Sequence, residues 1–85
     1  MEADSQFIRF TSCDPLNHLA RVLGIVQRMG FLLQSMSVRP AAQERSSVVL
    51  LYRPVGTLTA DTFVARVSVL PGIEDLSHGS ESEVC

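Results

Sequence analysis

The segment from Asp14 to Arg39, DPLNHLARVLGIVQRMGFLLQSMSVR, constrains the fold more than any other part of the chain. It writes a helix start, a helix stop and an uncharged strand in immediate succession. Asp14 is a good N-cap acceptor, and Pro15 suits the first helical position, where its missing N–H had no partner to lose. From there Leu16, Leu19, Val22, Leu23, Val26 and Met29 recur at three- and four-residue spacing, with Asn17, Arg21 and Arg28 on the other side. That spacing predicts an amphipathic helix over 15–29. Gly30 supplies the C-terminal stop. Phe31 to Val38 carries bulky side chains and no charge before Arg39, which predicts a strand.

The remaining elements fall into place around this segment. In 6–12, Ile8 and Phe10 alternate with Phe7, Arg9 and Thr11, so a strand with one buried face is expected. Pro40 ends the strand after the helix, and a polar connection leads to Ser47–Arg53, a nearly continuous apolar run typical of a central strand. Thr59 can cap a second helix over 60–70, whose apolar positions are Phe63, Val64, Val67 and Leu70; Pro71-Gly72 stops it. A short strand over 73–77 and a frayed, acidic tail over 79–85 complete the chain. The order strand, helix, strand, strand, helix, strand predicts an α+β, ferredoxin-like sandwich: a four-stranded antiparallel sheet with both helices on one face.

Size and charge narrow the roles. Eighty-five residues make a single domain over 1–85, and a chain this short buries only about 60% of its unfolded surface. Cys13 and Cys85 are far apart and form no C-x-x-C, so both are read as free thiols in a reducing, cytoplasmic setting. The start MEADSQ has neither a basic nor an apolar signal region, and no apolar run spans a bilayer. Seven arginines, no lysine and nine acidic residues leave a net charge of -2, which counts against nucleic acid as a partner, as it would against a chain without a basic patch. In the predicted topology the second strand is an edge. Phe31, Leu32, Leu33, Gln34, Ser35, Met36 and Val38 show neither a charge nor a bulge to defend it, so a homodimer formed by strand addition is expected.

No catalytic or metal constellation assembles from the sequence. His18 and His78 have no evident orienting group, and His18 reads as a partly exposed histidine at the border of the apolar face. Cys13, Asp14 and His18 are an unconvincing ligand set, because Asp14 is accounted for as a cap. The turn between the first strand and helix offers backbone N–H groups and the positive end of a helix dipole, a seat for the carboxylate of a small amino acid. Alternatively, Asp14 satisfies those donors itself and nothing binds.

The run DPLNHLARVLGIVQRMGF resembles the opening of ACT domains, and the resemblance extends over 6–78. Within that family, Arg21-Val22-Leu23, Val26, Gly30-Phe31 and Ser35-Met36 look most like the short small subunits of acetolactate synthase, especially the isozyme II type. The resemblance implies a non-catalytic regulatory subunit. It would bind and activate a catalytic large subunit in branched-chain amino acid biosynthesis, and the thiamine diphosphate, magnesium and FAD would belong to that partner. It also marks Asp14, Leu16, Asn17, His18 and Leu32 as the effector or regulatory turn. The turn lacks the family's ligand-facing glycine, and Leu32 stands where valine-sensitive members have asparagine, so activation with weak or no valine binding is expected. The alternative is a free-standing ACT-type amino-acid sensor acting on another enzyme.

Overall fold

A computed structural model describes residues 5–80. Six elements follow in the expected order: β1 (Gln6–Ser12), α1 (Pro15–Met29), β2 (Leu32–Pro40), β3 (Ser46–Arg53), α2 (Ala60–Ser68) and β4 (Glu74–Ser80). The strands form one antiparallel sheet in the order β2-β3-β1-β4. Both helices cover one face of this sheet, as a ferredoxin-like sandwich requires.

Alternation in the central strands builds the core. Ile8, Phe10 and Ser12 of β1 and Val48, Leu50 and Tyr52 of β3 point at the helices and are buried. From α1 they meet Leu19, Val22, Val26 and Met29, and from α2 they meet Phe63 and Val67. Tyr52 is the hub of an aromatic cluster, stacked on Phe31 with centroids 5.9 Å apart and edge-on to Phe63 at 4.7 Å. Such pairs add to the stabilisation from area burial.

The ends of the helices explain two departures from the sequence reading. Gly30 is left-handed at φ 72° and its N–H reaches Gln27 O, while the Phe31 N–H reaches back to Val26 O at 3.1 Å. This six-to-one and five-to-two pairing is a Schellman motif, which folds the residue after the glycine back under the helix. Phe31 is therefore buried in the core, not displayed on the dimer edge as expected, and β2 begins at Leu32. At the other end, Leu16 is 76% exposed, although its spacing had placed it in the core. Each residue turns a helix by about 100°, so Leu16 lies roughly 110° from the centre of the stripe formed by His18, Leu19, Val22, Val26 and Met29.

Boundaries shift elsewhere. α2 stops at Ser68 with Val69 as its cap, before the expected end at Leu70. β4 runs to Ser80, past the expected end at Ser77, so Gly79 and Ser80 of the expected tail are strand residues; 81–85 lie outside the described residues. β2 includes Pro40, which an edge strand tolerates. It also carries an irregularity between Leu33 and Ser35, so the edge is bulged at Gln34. That is one of the defences the sequence had been read as lacking.

Candidate functional site

The turn between β1 and α1 holds the densest polar chemistry among the described residues. Period-two alternation carries Ser12 inward beside Ile8 and Phe10, and it is fully buried. Its Oγ accepts the Asp14 backbone N–H at 2.9 Å, a serine turn that winds the chain into the helix. The same Oγ is 2.5 Å from His18 Nδ1, and His18 Nε2 is 2.7 Å from the Pro71 carbonyl oxygen. A carbonyl can only accept, so Nε2 carries a proton and donates to Pro71, while Nδ1 and the Ser12 hydroxyl share the other hydrogen bond. The result is a continuous relay from the Asp14 N–H through Ser12 and His18 to Pro71. Every member is satisfied, as burial demands.

This relay overturns the reading of His18 as a partly exposed side chain without an orienting partner. The imidazole is 7% exposed and held at both nitrogens. Its pairing resembles a serine activated by a base, but a fully buried hydroxyl cannot meet a substrate. The arrangement works instead as a clasp joining β1, α1 and the loop before β4. Gly72 completes it: φ is +90°, and a Cβ there would stand 2.9 Å from His18 Cε1. Ser12 and Gly72 were missed by sequence reasoning. The inward parity of Ser12 and the position of His18 one turn before Val22 were the signals available.

Asp14 does not cap the helix. Its backbone, at φ -134° and ψ 67°, departs from the extended cap geometry, and no side-chain cap bond forms. The contrast is Thr59 on α2, which adopts extended geometry and accepts the Thr62 N–H at 3.3 Å. The N–H groups of Leu16 and Asn17 thus have no side-chain cap, with the side chain of Asn17 exposed beside them. Leu32 is not brought to this turn. Its register partner is Arg53, whereas Ser12 pairs with Ser46, so within one chain the two lie at opposite ends of the sheet.

The other chemical candidates separate. Cys13 is a free, exposed thiol, and Cys85 lies outside the described residues. Among the described residues, no three His, Cys, Asp or Glu side chains converge to hold a metal ion. Asp75 is left-handed at φ 53° and accepts from Thr11 Oγ1 at 3.2 Å, and Glu74 pairs with Arg45 at 2.8 Å. The two carboxylates pin the sheet's end and do not act as an acid–base pair. At the opposite end, Tyr52 is buried; burial, then the negative charge of Asp61, pushes its phenol from 10.0 up to about 12. No described helix is long and apolar enough to cross a membrane.

Neither a protein-family model nor a curated protein sequence matches this chain. Solved structures do. The C-terminal domain of the MgtC protein from Mycobacterium tuberculosis superposes with a TM-score of 0.77 at 15% identity, over 93% of this chain and 88% of that one. The ACT domain of GTP pyrophosphokinase from Chlorobium tepidum gives 0.69 at 12% identity, over 91% and 99%. A homoserine dehydrogenase from Thiobacillus denitrificans gives 0.71 at 14% identity; the match covers 91% of this chain and 17% of that enzyme. The fold is therefore ACT-like.

Proposed function

We propose that this chain is a non-catalytic regulatory subunit that pairs with a second copy along β2 and engages a larger catalytic subunit, that of acetolactate synthase being the partner its sequence resembles. The observation that carries this reading is the state of the β1–α1 turn. Ser12 and His18 consume one another and the Asp14 N–H, and no glycine opens the turn. A turn filled by its own side chains favours regulation through protein contact over regulation by an amino acid held there. Valine binding is accordingly weak or absent, and thiamine diphosphate, magnesium and FAD are the partner's.

The proposed contact with a second copy uses β2. Leu33, Met36 and Val38 pair with Tyr52, Leu50 and Val48, so they face the helix side, yet they are 40%, 50% and 40% exposed. The helices cover this strip only in part. The bulge at Gln34 leaves Ser35 to Arg39 as the regular edge available for pairing. A subunit of this kind acts by binding two conformations of its partner unequally.

Mixing the purified chain with the acetolactate synthase catalytic subunit and following acetolactate formation tests the proposal; a rise in turnover or cofactor affinity is expected, and no change in either refutes it. Calorimetry with valine is expected to give no heat at micromolar ligand. A second reading, a free-standing ACT-type sensor, draws on the uncapped N–H groups of Leu16 and Asn17 and on the two neighbours that are parts of a GTP pyrophosphokinase and a homoserine dehydrogenase. Saturable binding of an amino acid, with shifts centred on those two amides and no effect on acetolactate synthase, would select it.

A further inference from the structure

We infer that the outer surface of α1 carries a binding site for a small amphipathic anion, separate from both the β1–α1 turn and the β2 edge. A cleft of about 440 Å³ lies there, lined by Ala20, Arg21, Gly24, Ile25, Arg28 and Leu70. Its volume is in the range that small-molecule sites occupy. Ala20 and Gly24, one turn apart, form a low floor. Arg21 and Arg28 stand on the same helix face two turns apart, about 10 Å along the axis, and bracket the floor with two guanidinium groups. Ile25 and Leu70, both half-buried, supply an apolar wall.

Two further observations point to a ligand. Neither Arg21 nor Arg28 has an ion-pair or hydrogen-bond partner among the described residues, where Arg45–Glu74 is the single ion pair. Residues 5–80 contain seven arginines and five carboxylates, so the described part of the chain carries an excess of positive charge. Gly24 is the second observation. Glycine inside a helix is destabilising relative to alanine, and this one has helical backbone with no positive φ to justify it. A Cβ at Gly24 would meet nothing closer than Arg28 Nη2, at 3.9 Å. Packing would accept alanine, so the fold does not need the glycine. What the missing methyl does is keep the floor open beneath the Arg28 guanidinium.

The chemistry of the lining defines the ligand class. Paired guanidinium groups select a carboxylate or phosphate through charge-assisted hydrogen bonds, and the Ile25–Leu70 wall selects a short hydrocarbon attached to it. The test is an amide-resolved NMR titration of the full chain with hexanoate, with inorganic phosphate as charge without hydrocarbon and hexanol as hydrocarbon without charge. Hexanoate is expected to shift the amides of Ala20 to Arg28 and Leu70 saturably, at least tenfold more tightly than either control. Arg21→Gln and Arg28→Gln should each weaken it tenfold or more, whereas Arg66→Gln on α2 should leave it unchanged. Gly24→Ala should weaken binding while raising the unfolding midpoint, which separates loss of the site from loss of the fold. Equal response to hexanoate and either control, shifts centred elsewhere, or full binding by Gly24→Ala would overturn the assignment.

Discussion

Ser12 and His18 show how one buried hydroxyl can organise a turn. Removing it in Ser12→Ala leaves the Asp14 N–H and His18 Nδ1 without their partner, and an unsatisfied buried group costs about 1–3 kcal/mol. Urea denaturation should report a loss in that range. Gly72→Ala should be at least as damaging, because φ +90° disfavours a side chain and the new Cβ strikes the His18 ring. Tyr52 gives a different signature. Its phenol titrates near 12 in the folded chain against 10.0 unfolded, so folding favours the protonated form. Stability is full below pH 10 and declines as pH rises toward 12, by at most about 1.4 kcal/mol per pH unit. Tyrosinate absorbance should show the high midpoint, and Tyr52→Phe should flatten the alkaline decline.

At the scale of elements, the two helices are held very differently. α1 has five buried positions over four turns, whereas α2 is nine residues long and has two, Phe63 and Val67. Phe63 also closes the aromatic cluster against Tyr52 and Phe31. Truncating a buried phenylalanine costs about 3–5 kcal/mol, a large share of the roughly 4–13 kcal/mol that a domain of this length possesses. Phe63→Ala should therefore be substantially unfolded at 37 °C by circular dichroism. Periodicity made both helices legible, and Thr59 was a readable cap because nothing competes for its geometry. Asp14 was misread because Ser12, two residues earlier, captures its N–H and turns its backbone away from the cap conformation. That competition is local in sequence, but it depends on Ser12 being inside the sheet.

Across the whole molecule, β2 is the element least supported by its own chain. Every residue from Leu32 to Pro40 is exposed, and a strand with one ladder and so little cover gains little from burial. Pairing with a second β2 would supply both a ladder and a cover. Sedimentation at micromolar concentration should give twice the 9.3 kDa chain mass, and Met36→Arg should shift it to monomer while leaving the circular dichroism spectrum intact. A monomeric wild-type chain at those concentrations would remove β2 pairing from the proposed mode of action.

The order of elements, the inward faces of β1, β3 and both helices, and the glycine stop at Gly30 were written in the sequence, because each depends on residues within one or two turns of one another. The Schellman turn that carries Phe31 inward has its signal there too. What only the tertiary structure decided are the relations across long separations. Pro71 lies 53 residues from the histidine it holds, Leu32 ends up at the far end of the sheet from the turn it was grouped with, and the helix layer leaves β2 exposed along its length. These follow from strand order and crossing geometry, which bring together groups that no local pattern connects.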